Sequence, residues 1–237
     1  MFTYMQLFHH TNAEEGAFIL PPDESKHIVR VLRKSAGDVI QMTDGRGKLF
    51  EGIISEANKN QCRLQLKLIE EIPPLNPELI LVIAPTKSSD RMEWLLEKAV
   101  EIGISRVVLV KSEHSERQKL KPERWERIMV AAMKQSLRFH LPEVTIMQNL
   151  NEVLEVLKAD QQFMAHCDGD ERLPFIKVCK PGKSTAIAIG PEGDFSKTEI
   201  EIAKSNGWVG VTFGERRLRT ETAALVGIDA FQWIQMM

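Results

Sequence analysis

Cysteine is scarce in this sequence, with only Cys62, Cys167 and Cys179 among 237 residues. Their odd number and wide spacing fit neither a disulfide framework nor a zinc site. No apolar run approaches the roughly 20 residues that a membrane helix needs, and Met1–His10 lacks the basic and then apolar pattern of a secretory signal. We therefore expect a cytoplasmic protein with reduced thiols and no membrane partner.

Neither sign of charge is in excess, because 31 lysine and arginine residues stand against 33 aspartate and glutamate residues, for a formal net charge of −2. The sequence therefore lacks the strongly basic character that usually marks a nucleic-acid-binding domain. Any nucleic-acid partner would have to be held by local basic patches. We also expect no metal site, because five histidines show no spacing typical of metal ligands: His9, His10, His114, His140 and His166.

The first 72 residues predict a small β-rich domain. Short, partly alternating runs predict three strands, over 38–43, 48–54 and 62–69. The sequence Asp-Gly-Arg-Gly at 44–47 is typical of a hairpin turn between the first two strands. A short helix is predicted over Glu24–Lys34, with Ile28, Val31 and Leu32 facing the interior.

A proline-rich segment, 71–77, predicts a linker, because its three prolines suit neither a helix nor a central strand. It divides the chain into predicted domains 1–72 and 73–237. In the second domain, strands and helices alternate, which indicates an α/β fold with a mainly parallel sheet. The expected strands are 79–84, 107–110, 144–147, 163–166, 185–189 and 208–213. The expected helices run from a capping box at Asp90–Glu93 to Gly103, over 122–138, from a capping box at Ser196–Glu199 to Gly207, and over 220–237.

Two loops of the second domain follow strands and precede helices, which is where open α/β sheets bind ligands. The first contains Gly190–Gly193 and matches neither the dinucleotide fingerprint nor the phosphate loop. The second contains Gly214 and three arginines, followed by Thr220 or Thr222 as the N-cap of the last helix. On spacing alone, each loop could equally be a tight connection or a solvated turn.

Together, the two loops resemble a known family. Gly190–Gly193, then Gly214 and Leu218–Ala223, are similar in order and spacing to the SPOUT-class methyltransferases. More narrowly, they resemble the RsmE family, which methylates N3 of a uridine in 16S ribosomal RNA. The resemblance covers most of the chain, since His27–Arg33 is similar to the N-terminal RNA-binding signature of that family and further motifs lie within 87–103 and 135–138.

The sequence departs from the family pattern at three places. Asp194 stands where the family usually has a second glycine. Lys134 stands where the family usually has an acidic residue, and residues 215–217 are more charged than the usual proline and aliphatic version. These departures bear on the shape of the pocket and on the rate, and leave the cofactor class unchanged.

The resemblance implies a C-terminal SPOUT-type α/β domain with a trefoil knot and a PUA-like N-terminal β-barrel that grips RNA. It implies a homodimer that uses S-adenosyl-L-methionine to methylate 16S ribosomal RNA, within the small ribosomal subunit. The residues that it assigns to cofactor binding are Gly190, Pro191, Glu192, Gly193, Phe213, Gly214, Leu218, Thr220 and Ala223.

Methylation at uridine N3 requires the loss of a proton, so a cation near the uracil carbonyl oxygens would stabilise the developing anion. Arg219 and Arg138 are the candidates for this role. Glu221 is a candidate base, although it could instead serve the N-terminus of the last helix.

Basic residues of the first domain are expected to contact RNA phosphates: Lys26, Arg30, Arg33, Lys34, Arg46 and Lys48. Without the family resemblance, a solvated polar face would explain them equally well. Two other functions stay open. One is another SPOUT-class activity, on a ribose 2′-oxygen or on transfer RNA, and the other is a non-catalytic RNA-binding assembly factor.

Overall fold

A computed structural model of the chain describes residues 6–116, 120–169 and 172–237. These residues form two compact units. The first consists of the described residues up to Pro74 together with Val130–Leu141, and the second of those in Leu75–Met129 and Pro142–Met237. The sequence did not indicate that 130–141 belongs with the first unit.

The first unit is built on a five-stranded sheet in the order β1-β3-β4-β5-β2. Its strands are β1 (Leu7–His9), β2 (Gly16–Ile19), β3 (Val39–Thr43), β4 (Lys48–Glu56) and β5 (Arg63–Glu71). Strand β1 pairs parallel to β3 and the other pairs are antiparallel. The three strands predicted from alternation are confirmed, whereas the short edge strands β1 and β2 were missed.

One face of this sheet covers an apolar core, as the alternation of buried and exposed residues along β4 and β5 requires. The side chains that fill the core include Phe8, Leu20, Ile28, Met42, Phe50, Ile54, Leu64 and Leu66. Directly after β1, the ring of His10 lies edge-on to Phe18 of β2, with 5.0 Å between centroids. The turn between β3 and β4 is held by Asp44, whose Oδ1 accepts from the N–H groups of Arg46 and Lys48.

The predicted helix over Glu24–Lys34 is wrong in its extent. The α-helix α1 covers only Pro22–Lys26, and a π-helical turn follows over His27–Val31. The N–H of Leu32 donates to the carbonyl of His27, five residues earlier, at 3.0 Å. This wider turn breaks the 3.6-residue period on which the prediction relied, and Val31, which was expected to face the interior, is 66% exposed.

Residues 130–141 extend the β3–β4 turn of the first unit. The N–H of Gly47 donates to the carbonyl of Phe139, and the N–H of Leu141 donates to that of Gly45. Lys134, one of the departures from the family pattern, pairs with Glu24 at 2.7 Å and lies over the ring of Phe8. The cation at this position therefore has both a carboxylate and an aromatic partner.

The second unit contains a seven-stranded sheet in which every strand pair is parallel. Its strands are β6 (Leu79–Ile83), β7 (Arg106–Val110), β8 (Glu143–Met147), β9 (Gln161–Ala165), β10 (Leu173–Pro174), β11 (Thr185–Ile189) and β12 (Val209–Thr212). The order is β10-β12-β9-β11-β6-β7-β8, so β11 is central and all five of its residues are buried. The predicted α/β class with a parallel sheet is confirmed.

The helices of the second unit are α2 (Ser89–Ile102), α4 (Leu150–Val156), α5 (Phe175–Val178), α6 (Lys197–Ser205) and α7 (Thr220–Gln235). A further helix, α3 (Pro122–Gln135), begins in the second unit, and its residues from Val130 onward belong to the first. Helices α4 and α6 pack together over a cluster that includes Ala188, Phe195 and Trp208, and α7 packs on β6, β11 and α2. None of the described helices is long and apolar enough to span a bilayer.

The two predicted capping boxes have opposite outcomes. At α6 both hydrogen bonds form, because Ser196 Oγ accepts from the N–H of Glu199 and the Glu199 carboxylate accepts from the N–H of Ser196. The box at Asp90–Glu93 is wrong, because Ser88 caps α2 by accepting from the N–H of Arg91. Several residues near the start of α2 are of types that can act as N-caps, and capping by the earliest of them makes the helix longer. The side chain of Glu93 pairs instead with Arg124 at 2.7 Å.

Glycine is required at position 47 of the first unit. Gly47 has φ +100°, and a Cβ there would collide with the carbonyl oxygen of Ile72 and lie 2.6 Å from His140 Nε2. We expect Gly47→Ala to lower the free energy of unfolding by about 3 kcal/mol, since backbone strain and overlap add. Gly16 has φ +115° with nothing within 4 Å of the Cβ position, so Gly16→Ala should cost only about 1 kcal/mol. Urea unfolding followed by circular dichroism measures both, and equal losses would contradict the packing argument.

Candidate functional site

The site is organised by the loop that follows the central strand β11. This loop, residues 190–196, is called the central loop below, and it leads from β11 into α6. In a parallel sheet the carboxyl ends of all strands lie at one edge, so the loops after β6, β7, β9 and β12 begin at the same edge as the central loop. Each of these four loops is hydrogen-bonded to the central loop or to the first turn of α6.

The loops after β6 and β7 are tied to one side of the central loop. The N–H of Lys87 donates to Glu192 Oε1 at 2.9 Å, and His114 Nδ1 donates to the main-chain oxygen of Asp194 at 3.0 Å. The N–H of Glu113 also donates to the capping residue Glu199 at 2.9 Å. The conformation of the central loop is therefore fixed from the β6 and β7 side.

The loops after β9 and β12 are tied to the other side. The N–H of Cys167 donates to Asp194 Oδ2 at 2.6 Å. The buried hydroxyl of Thr220 donates to the carbonyl of Gly190 at 3.0 Å, and Arg217 Nη2 reaches the carbonyl of Glu192 at 3.5 Å. Helix α7 begins at Thr220, and Arg219 occupies its N-cap position. The prediction that Thr220 or Thr222 caps this helix is therefore wrong.

A cavity of about 710 Å³ opens between the central loop and the loops after β9 and β12. Such a volume is typical of sites for small molecules and cofactors. Its apolar lining comes from Ile189, Val211, Phe213 and Leu218, and its charged lining from both signs. The cations are Arg172, Arg216, Arg217 and Arg219, and the described acidic residues are Asp168, Glu192, Asp194 and Glu215.

Most of the residues predicted to bind the cofactor meet in this cavity. Those that line it are Gly190, Pro191, Glu192, Phe213, Gly214, Leu218, Thr220 and Ala223. Gly193 is not in the lining; it packs against His114, and a Cβ at Gly193 would lie 3.0 Å from His114 Cβ. The two loops thus form one site, and they are in contact through Arg217 and Glu192, which are 25 residues apart in sequence.

The three catalytic candidates occupy different environments. Arg219 is exposed and lines the cavity. Glu221 is 5% exposed and lies outside the lining, with Oε1 at 3.6 Å from Arg91 Nε. Arg138 belongs to 130–141 of the first unit and is half-buried, and this burial lowers the pKa of its guanidinium. Their roles stay predictions.

The basic residues predicted to contact RNA all lie in the first unit, on α1, the π-helical turn and the β3–β4 hairpin. Lys26, Arg30 and Arg33 are exposed and form no ion pair with another described residue. Lys34 donates to the carbonyl of Val39. Arg46 and Lys48 are exposed at the hairpin, where Arg46 contacts Asp44 and Lys48 lies 3.9 Å from Glu71. Three of these six cations, Lys26, Arg30 and Arg33, are therefore exposed without an ion-pair partner among the described residues.

Sequence reasoning missed the third wall of the cavity. Ala165, His166, Cys167 and Asp168, at the end of β9, line it together with Arg172. The strand at 163–166 was predicted, and the rule that placed the two glycine loops also applies to the residues after this strand. What the sequence lacked there was a glycine motif. No cluster of metal-ligating side chains occurs among the described residues, and the absence of a metal stays a prediction.

Comparison with family models matches two parts of the chain. Residues 73–232 match the RNA methyltransferase domain and residues 20–67 the RNA methyltransferase PUA domain. The chain is 34% identical over 176 residues to Ribosomal RNA small subunit methyltransferase E of Mesomycoplasma hyopneumoniae, covering 71% of this chain and 74% of that protein. It is 27% identical to the Buchnera aphidicola protein of the same name, covering 91% and 87%.

Solved structures agree over nearly the whole chain. A probable rRNA methyltransferase from Porphyromonas gingivalis is 40% identical with a TM-score of 0.91, covering 98% of this chain and 99% of that one. Ribosomal RNA small subunit methyltransferase E from Neisseria gonorrhoeae, solved bound to S-adenosyl methionine, is 27% identical with a TM-score of 0.84 and coverage of 97% and 98%.

We expect His166 to make the stability of the second unit depend on pH. It is 7% exposed, and burial lowers its pKa below the ordinary value of 6.5, with smaller opposing effects from Asp194 and the backbone of Asp168. Below that value the unfolded chain takes up a proton that the folded chain does not, so the free energy of unfolding falls as pH falls.

We expect this loss, between about pH 7.5 and about pH 5.5, to be smaller in His166→Asn than in the unchanged protein. Urea unfolding followed by tryptophan fluorescence measures it, because all four tryptophans belong to the second unit. Equal losses in the two proteins would exclude His166 as the source.

Proposed function

The chain belongs to the RNA methyltransferase family, and we propose that it transfers a methyl group from S-adenosyl-L-methionine to N3 of a uridine in 16S ribosomal RNA. Family membership makes it an S-adenosylmethionine-dependent ribosomal RNA methyltransferase, and the uridine N3 target is the proposed part. The observation that carries the proposal is the single cavity in which the residues of the two resembling loops come together.

The cavity suits a cofactor with a flat base, a ribose and an amino-acid end. Its volume of about 710 Å³ is sufficient, and Ile189, Val211 and Leu218 offer apolar contacts. Gly214 borders open space, since a Cβ there would meet nothing within 4 Å. We propose that the lining residues of the central loop and of 213–223 hold the cofactor.

The cofactor supplies a methyl group already activated on a sulfonium sulfur. In the transfer, the bond from methyl carbon to sulfur breaks as the bond to uridine N3 forms, and the N3 proton leaves. The chain must therefore align N3 with the methyl group, which is catalysis by proximity and orientation, and must stabilise the negative charge that develops on the uracil. Arg219 is our candidate for this stabilisation because it is exposed and lines the cavity; Arg138 is the second candidate.

The surroundings of Glu221 favour a structural role over the role of general base. Its carboxylate is buried beside Arg91, and a negative charge in the first turn of α7 is favourable next to the helix N-terminus. The proposal for Arg219 therefore does not depend on which group accepts the N3 proton.

The first unit would bind the phosphates of the substrate through Lys26, Arg30 and Arg33, with Lys34, Arg46 and Lys48 nearby in sequence. All of them except the half-buried Lys34 are exposed, which supports this role. Contacts of this kind release counterions, so binding should weaken steeply with salt. We also propose that the substrate is the RNA of the small ribosomal subunit, that the protein acts in the cytoplasm, and that domains 1–72 and 73–237 are the functional division.

We further propose a homodimer and a knotted second domain, as the resemblance implies. Exposed apolar side chains on α2 and α7 support the dimer: Trp94 is 46% exposed, Val226 37% and Trp233 58%. Val226 and Trp233 are seven residues apart, so they share one face of α7. A monomer in sedimentation equilibrium at micromolar concentration would contradict the dimer.

The target is tested by mass spectrometry of nucleosides from small subunits of a strain that lacks this chain, after incubation with the protein and S-adenosylmethionine. We expect N3-methyluridine as the new methylated nucleoside. A 2′-O-methylated ribose, or methylation only when transfer RNA replaces the small subunits in the incubation, would favour another SPOUT-class activity. No methylation and no calorimetric binding of S-adenosylmethionine would favour a non-catalytic assembly factor.

Arg219 is tested by kinetics. We expect Arg219→Ala to lower kcat by about 100-fold or more, the usual cost of losing a donor to a developing anion, while the Kd for S-adenosylmethionine changes by less than about threefold. Arg219→Lys, which keeps the charge and loses the planar fork, should recover part of kcat. Equal losses in kcat and cofactor affinity, or no loss, would refute this role.

A further inference from the structure

Asp194 connects three strand-end loops through different parts of one residue. Its carboxylate accepts from the N–H of Cys167, after β9, at 2.6 Å. Its main-chain oxygen accepts from His114 Nδ1, after β7, at 3.0 Å. Its own N–H donates to the carbonyl of Pro191, which closes the turn of the central loop after β11.

We propose that Asp194 is a positioning residue for cofactor binding, which fixes the wall formed by the loop after β9 against the central loop before the cofactor enters. The proposal rests on the proposed function for the identity of the ligand. Asp194 and Cys167 both line the cavity, so the hydrogen bond between them sets the separation of two of its walls. A cavity held in its binding conformation loses less free energy to ordering when the ligand binds.

The side chain of Asp194 provides what a glycine at this position cannot. Asp194 has φ +65°, a conformation that glycine adopts freely and that aspartate and asparagine adopt more readily than most other residues. Glycine would therefore preserve the turn. It would remove both side-chain acceptors, because Oδ2 accepts from Cys167 and Oδ1 accepts from the N–H of Phe195 at 2.9 Å. The backbone and the carboxylate can thus be tested separately.

A matched control exists on the same two strands. Asp160, directly before β9, accepts from the N–H and the hydroxyl of Ser184, directly before β11, at 2.9 and 2.8 Å. This aspartate links β9 to β11 as Asp194 does, but at their amino ends, and neither Asp160 nor Ser184 is in the cavity lining. Asp160→Gly therefore removes an equivalent link without changing the cavity wall.

The first measurement is calorimetric titration of the full chain with S-adenosylmethionine. We expect Asp194→Gly to raise the Kd by about tenfold, because binding must then order the wall that the two side-chain hydrogen bonds held in place. Asp194→Asn keeps the backbone conformation and one acceptor oxygen, so its loss should be smaller. Asp160→Gly should bind within about twofold of the unchanged protein. Binding by Asp194→Gly within that same limit, or an equal loss in Asp160→Gly, would overturn the proposal.

The second measurement separates this proposal from the proposed function. Amide hydrogen exchange at Cys167 is followed in protein without cofactor, where we expect Asp194→Gly to accelerate exchange by about tenfold or more and Asp160→Gly to leave it unchanged. Unchanged exchange in Asp194→Gly would refute the positioning role even if the unchanged protein binds the cofactor. Faster exchange in a protein that binds no S-adenosylmethionine would instead refute the proposed function and retain the link.

Discussion

The hydrogen bonds that tie the central loop to the loops on both sides of it are the constraint on which the cavity depends. Strand β11 is fully buried and has neighbours on both edges, so the position at which it ends is fixed by the sheet. The residues that follow it carry two kinds of acceptor: a backbone carbonyl at Gly190, and both a carbonyl and a carboxylate at Glu192 and at Asp194. The loops contribute the matching donors, which makes one rigid strand end the reference point for the site.

This arrangement suits a reaction in which the protein does little covalent work. When the methyl donor is already activated, the rate depends on alignment and on charge stabilisation, and both need a cavity that is in place beforehand. The equal numbers of described acidic and basic side chains in the lining limit the net field there. Under the proposed function, stabilisation of a developing anion would therefore have to come from a well-placed cation, such as the proposed Arg219 at the start of α7, and not from the total charge.

Local signals in the sequence were sufficient for every strand of the parallel sheet except the two-residue β10, for the capping box at Ser196–Glu199 and for the two glycine loops. Each depends on residues close together in the chain: an apolar run, an i to i+3 pair, or glycines after a strand. The sequence could not indicate that Cys167 meets Asp194, that 130–141 pairs with the β3–β4 turn, or that a π-helical turn follows α1. These features arise from tertiary packing. The residues of one loop do not indicate which residue of another loop they will contact in the folded chain.

The near-zero net charge argued against a nucleic-acid partner, but net charge does not show which cations are paired and which are free. In the first unit, Lys26, Arg30 and Arg33 form no ion pair with another described residue, whereas Lys134 is paired with Glu24. In the second unit, Arg91 and Arg124 are taken up by Glu221 and Glu93. Non-specific attraction to phosphate depends on cations that are not already neutralised. A protein of balanced composition can therefore bind RNA, provided that some cations of the binding surface stay unpaired. On the proposed surface, Arg46 and Lys48 do lie beside acidic residues.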